Sequence, residues 1–281
     1  MQHREFELRT LDGTRLFAQS WTPVGTPLQS VAVIHGLGEH SGRYAEMAGV
    51  FASAGLQVVS FDQRGHGRTG GRLPSFYVLR DDIHVLLDMQ RREGFQRPVL
   101  LGQSMGGGLV LSLVLQQSTG LSAAVAMSPM IRTAFPPPYW KLFVARWLGR
   151  VWPGLTLNSG INANHLSHDP EAIRAYLGDP LVHHRISAAL GLTMLESGEH
   201  VLEIADRWNL PLLLMHGTDD RITSSQASQA FAKKAGTQCT LMLWEDLAHD
   251  LHHECERLGV LHFVADWILR QSEPSANRMV D

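Results

Sequence analysis

Cysteine is scarce in this chain: Cys239 and Cys255 are its two thiols in 281 residues. That is too few for a disulfide framework and is compatible with a reducing compartment. Long apolar runs are missing as well. No stretch reaches the roughly 18 residues of a spanning helix, so any membrane contact is expected to be peripheral. Arg4, Glu5, Glu7, Arg9 and Asp12 stand where a secretory signal would need an apolar core, so no such signal is expected. A cytoplasmic protein with transient contact at membrane surfaces is the resulting expectation. Excess positive charge is absent too, since 24 Lys and Arg face 27 Asp and Glu for a net charge of -3. No basic field therefore draws a polyanion, and nucleic acid is not an expected partner.

Histidine is plentiful, at 15 residues, but forms no zinc signature: His252 and His253 are adjacent, with no short cysteine spacing beside them. The glycines Gly36, Gly38 and Gly42 lack a phosphate-loop lysine and do not make a dinucleotide fingerprint. No metal or cofactor is expected.

What is present is a recurrent strand and helix pattern. EFELRT and RLFAQSW alternate with period two around Asp12-Gly13, predicting a hairpin. Compact β-prone runs follow at 30–35, 56–61, before Gln103, at 121–128, 210–216 and 240–245. Helical patterns lie at 44–54, 80–92, after Ser104, and at about 225–235 and 256–270. Eight strands mostly separated by helices predict an α/β fold with a largely parallel sheet covered on both faces. The pattern breaks after Met130. Residues 130–205, with the Pro136 to Pro138 run and a tryptophan-rich segment from Tyr139 to Trp152, read as an insertion above the carboxyl ends of the strands. The core is thus expected in two parts, 1–129 and 206–271, with 272–281 a polar, frayed tail.

Gly102-Gln103-Ser104-Met105-Gly106 matches the G-x-S-x-G elbow in its required setting of strand, turn and helix. Such a turn lifts the serine hydroxyl above the sheet. A serine nucleophile needs a base, and the base an orienting acid. Asp219 or Asp220 after the 210–216 strand, and His249 after the 240–245 strand, follow in the chain order serine, acid, histidine. Strand-end position alone leaves either aspartate open. The Met105 amide and, from His35-Gly36-Leu37-Gly38, the Leu37 amide are the expected oxyanion donors. His35 is read as orienting its loop. Asp62-Gln63-Arg64-Gly65-His66-Gly67 is read as a structural loop in preference to a second catalytic centre. In the insertion, Phe135, Tyr139, Phe143 and Trp147 are candidate substrate contacts; Tyr139, Phe143 and Trp147 follow one another at four-residue spacing, which places them on one helical face. Ordinary packing of the insertion on the body is the competing reading.

The blocks from His35 to Tyr44 and from Asp62 to Gly67, together with Gly102 to Gly107, Gly217 to Arg221 and His249 to Glu254, closely resemble the monoacylglycerol lipase and lysophospholipase group of the α/β-hydrolase superfamily. They span almost the whole chain. The resemblance implies an α/β-hydrolase fold with an eight-stranded sheet and makes 130–205 a helical cap over an acyl pocket. By the G-x-x-D pattern it assigns the acid to Asp220, and by H-x-x-H-x-E the base to His249. It implies hydrolysis of a single-chain lipid ester, monoacylglycerol above all, by Ser104, Asp220 and His249 without a metal. Lysophospholipid or medium-chain esters are the alternative substrates, and a noncatalytic lipid-binding protein is a further one. One position departs from the group: Gln103 replaces the histidine usual before the nucleophile, with an expected effect on local hydrogen bonding.

Overall fold

The computed structural model describes residues 1–117, 120–135, 152 and 155–272. The expected frayed tail therefore lies outside the described residues except for Ser272, which ends the last helix. Asp12-Gly13 turns β1 (Gln2–Arg9) back onto β2 (Arg15–Thr22) as an antiparallel hairpin. The chain then alternates: β3 (Gln29–Ile34), α1 (Ala45–Ser53), β4 (Leu56–Phe61), α2 (Phe76–Arg92), β5 (Val99–Gln103), α3 (Met105–Gln116) and β6 (Ala123–Met127). The inserted region contributes a small ribbon of β7 (Thr156–Asn158) and β8 (Arg185–Ser187), with α4 (Pro170–Gly178) between them and α5 (Ala188–Glu203) after. The alternation resumes with β9 (Leu212–Gly217), α6 (Ser225–Ala235), β10 (Cys239–Trp244) and α7 (Arg257–Ser272).

The eight-stranded sheet has the order β1-β2-β4-β3-β5-β6-β9-β10. From β4 to β10 neighbouring strands pair in parallel, and the hairpin joins through the antiparallel β2 and β4 pair. This is an α/β fold with a mixed, largely parallel sheet and a cap region of inserted helices. The loops that follow β3, β5, β9 and β10 consequently emerge at one edge of the sheet.

Why the central strands read as unbroken apolar runs is plain from their burial. Ala32, Leu100, Ala124 and Leu212 face one core with α2 and α3, while Val31, Val99, Val125 and Leu213 face another with α1 and α7. Both faces are dry, so period two is hidden. Two features depart from the sequence pattern. Helix α2 begins at Phe76, a turn before Arg80, and its first N–H is capped from a distance: Phe76 donates to Thr193 Oγ1 at 2.9 Å, a residue of α5. A local pattern cannot register that partner. Moreover, α5, at the end of the inserted region, packs on α2 and α3 of the body.

Candidate active site

The elbow is built by close backbone contact. A Cβ at Gly102 would collide with the Gly106 carbonyl, and one at Gly106 with the Ile34 carbonyl. Between them Ser104 takes φ 54° and ψ -118°, outside the ordinary regions for a residue with a side chain. Neighbouring backbone holds it there: Ser104 N–H donates to Met127 O at 2.9 Å, and its carbonyl accepts from Met130 N–H at 2.9 Å and Gly108 N–H at 3.0 Å.

The hydroxyl so presented lies 2.8 Å from His249 Nε2. The other ring nitrogen, Nδ1, lies 2.7 Å from Asp220 Oδ2. Asp220 is itself saturated: Oδ1 accepts from the Ile222 and Thr223 amides at 2.7 and 2.9 Å, and Oδ2 from the Thr223 hydroxyl at 2.7 Å. His216 Nε2 stands 3.0 Å from the same Oδ2, its Nδ1 2.8 Å from Ser228 Oγ. Burial by itself would raise the Asp220 pKa. The His249 charge and the bonds from His216 and His249 outweigh it and hold the acid below the ordinary carboxylate range. His249 shows the opposite balance: burial pulls its pKa down, but the charge and hydrogen bond of Asp220 prevail and raise it.

Of the two aspartates left open by spacing, Asp220 faces the imidazole. Asp219 points outward, to Arg221 at 3.1 Å and His168 Nε2 at 3.2 Å. The His249 loop is secured at its far side by buried Glu254, which accepts from the Ala248 amide at 2.7 Å, the His168 amide at 2.9 Å and the Ser167 hydroxyl at 3.2 Å. Its position ties the H-x-x-H-x-E motif to the inserted region.

Met105 opens α3, where the first amides of a helix have no intrahelical acceptor. It and Leu37 line the same cavity as Ser104. The Leu37 loop is braced by the Glu39 carboxylate on the Gly36 amide at 2.5 Å and by His183 N–H on the Gly38 carbonyl at 2.8 Å. His35 orients this loop, bonding Gly36 O at 2.8 Å and accepting from Gln63 N–H at 2.9 Å. Asp62 and Arg64 are engaged in loop bonds: Asp62 accepts from the Ser41 and Arg68 amides, and Arg64 pairs with Asp82 and Asp12.

The cavity measures about 230 Å³ and is mainly apolar, walled by Met105 and Ile222 of the body and by Met130, Ile161, Ile186, Met194 and Leu195 of the inserted region. Phe135 is 73 % exposed. Tyr139, Phe143 and Trp147 lie outside the described residues. The sequence did not single out Thr223, His216 or the aliphatic wall. Thr223 had a local signal, three residues after Asp220 in a turn; His216 and the wall had none, because their role comes from the crossing of distant segments. Among the described residues no cluster of potential ligands could hold a metal.

Fold and site together define a serine-hydrolase-type α/β-hydrolase. The chain belongs to the Hydrolase_4 family, described as serine aminopeptidase S33, whose model matches residues 25–256. It is 31% identical over 271 residues to the monoacylglycerol lipase of Mycolicibacterium smegmatis, covering 94% of this chain and 96% of that protein. A 34% identity over 276 residues links it to an abhydrolase domain-containing protein of Dictyostelium discoideum; the match covers 96% of this chain but spans 29% of that protein's length. The crystal structure of the Paleococcus ferrophilus monoacylglycerol lipase superposes with a TM-score of 0.85 at 29% identity, covering 91% of this chain and 99% of that one. The chain is thus related to monoacylglycerol lipases.

Proposed function

We propose that this protein hydrolyses monoacylglycerol to glycerol and a free fatty acid through an acyl-enzyme formed on Ser104. The observation that carries the reading is the unbroken line of hydrogen bonds from Asp220 through His249 to a serine hydroxyl at the wall of an apolar cavity. His249 takes the Ser104 proton as the oxygen attacks the ester carbonyl, and Asp220 holds the tautomer and stabilises the imidazolium. The Leu37 and Met105 amides receive the charge on the carbonyl oxygen. The imidazolium then protonates the departing glycerol oxygen. Water, activated by the same ring, releases the fatty acid and restores the serine. Every proton moved is accounted for by His249, so the chemistry needs no cofactor.

An apolar wall suits a single acyl chain, and Phe135, Tyr139, Phe143 and Trp147 are proposed as its contacts on the cap side. The division into a core of 1–129 and 206–271 with a cap of 130–205 belongs to the same proposal, as does transient contact with a lipid surface. The test compares fatty-acid release by the purified chain from monoacylglycerols, diacylglycerols and lysophospholipids of matched acyl length. Release from monoacylglycerol at least about tenfold faster in kcat/KM supports the reading. Faster release from lysophospholipid, or from short soluble esters, moves the substrate class and leaves the acyl-enzyme step intact.

A further inference from the structure

Beside the His249 imidazole lies a second buried polar cluster that the acyl-transfer steps do not use. Asp250, the next residue, is 5 % exposed, and Gln103, immediately before the nucleophile, is fully buried. The Gln103 Nε2 group donates twice, to the His249 carbonyl at 3.0 Å and to Asp250 Oδ1 at 3.2 Å. One side chain at the end of β5 therefore grips the backbone of the histidine and the carboxylate of its neighbour. Asp250 N–H in turn donates to Leu166 O at 2.6 Å, in the inserted region.

The cluster is short of positive charge. Arg43 stands 3.2 Å from Glu39 and 3.9 Å from Asp250, so two buried carboxylates share one guanidinium. Glu39 has the better share, with the Gly36 amide and the Tyr44 hydroxyl as further donors at 2.5 and 2.7 Å. Asp250 has the Gln103 amide and the more distant Arg43. The titratable and charged groups around it are Arg43, Glu39 and Tyr44 from the segment after β3, Asp220 from the loop after β9 and Tyr176 from α4. From its own loop come His249, His252 and His253.

We propose that Gln103 and Asp250 form a positioning pair for His249, the amide fixing the histidine backbone and the carboxylate setting the electrostatic field in which the imidazole takes up its proton. This rests on His249 being the base proposed above. The pair depends on the single amide nitrogen of Gln103 reaching a backbone acceptor and a carboxylate together. The balance at Asp250 agrees with this geometry, since burial, with the Glu39 charge adding to it, pushes its pKa up to about 7, in the range where a general base must work. A charged Asp250 favours the imidazolium, and a neutral one relaxes that preference.

The experiment measures kcat and KM for p-nitrophenyl butyrate from about pH 5 to 9, with the full chain, Asp250→Asn and Gln103→Leu. Asparagine keeps an oxygen for Gln103 and removes the charge. The acid limb of kcat/KM should then move down by about half a unit or more. Leucine removes the amide that favours the Asp250 carboxylate, so its limb should move in the same direction, with kcat reduced about tenfold and KM within about twofold. Wild-type limbs in both folded variants overturn the proposal and leave the pair a packing feature. Should Asp250→Asn show no cooperative melt, Gln103→Leu decides on its limb alone. Fluorophosphonate labelling of Ser104 in the unmodified chain separates the two readings. An unlabelled Ser104 removes the hydrolase reading itself; a labelled one with unmoved limbs removes the positioning pair alone.

Discussion

Asp219 and Asp220 are adjacent and chemically identical, yet their surroundings differ in every respect that matters for a triad. Asp220 is buried, accepts from Thr223, Ile222 and His216 as well as His249, and stays ionised. Asp219 forms half-exposed pairs with Arg221 and His168. Asp220→Asn is therefore predicted to lower kcat by roughly 10³ to 10⁴, by losing the acceptor that fixes the imidazole tautomer. Asp219→Asn should stay within about threefold, because exposed ion pairs contribute little. Steady-state ester hydrolysis by both variants checks this, and equal losses would contradict the assignment. The pKa of His249 is raised, and its neutral form is the proposed base, so activity should fall with acidification along a limb above the ordinary imidazole value of about 6.5. Ser104, His249, Leu37 and Met105 were legible as candidates from elbow spacing and chain order, which leave Asp219 and Asp220 both open; the resemblance favours Asp220, so the acid was legible as a candidate by that route alone. The Gln103 bond to Asp250 was not, because residues 147 apart in sequence meet there.

At the scale of elements, the parallel strands were legible almost to the residue. A strand buried on both faces must be continuously apolar, and glycines and polar turns mark its ends. The start of α2 was hidden by a cap from Thr193, and the ribbon of β7 and β8 is too short to show a period. Where elements meet at the site, two substitutions test the packing. Gly106→Ala drives a Cβ into the Ile34 carbonyl and should destabilise the fold by about 3 kcal/mol, read as a lower denaturant midpoint. Glu254→Ala strands the Ala248 and His168 amides, costing about 3 kcal/mol in the same measurement, with kcat reduced as the His249 loop loosens. A stability unchanged by either would mean that these contacts do not hold the elbow and the histidine loop.

For the whole molecule, pH acts on stability chiefly through buried imidazoles. Burial lowers the pKa of His35, His66, His183, His252 and His253, the last to about 4. Their unfolded value of about 6.5 is higher, so the unfolded chain binds more protons, and stability present above pH 6.5 declines as pH falls towards 4. Asp82 and Asp250, raised by burial, and His249, raised by Asp220, act in the opposite sense. The five histidines are expected to prevail, lowering the melting temperature by more than about 5 °C between pH 7 and 4.5. A flat profile in circular-dichroism melts would contradict that balance. No helix among the described residues is long and apolar enough to cross a membrane. Ser104 is proposed to carry the acyl group, and peptide-mapping mass spectrometry after treatment with a fluorophosphonate tests this. One adduct on the Ser104 peptide, matched by loss of ester hydrolysis and absent from a folded Ser104→Ala variant, is the predicted result. An adduct on another serine, or ester turnover at the wild-type rate by Ser104→Ala, would contradict it.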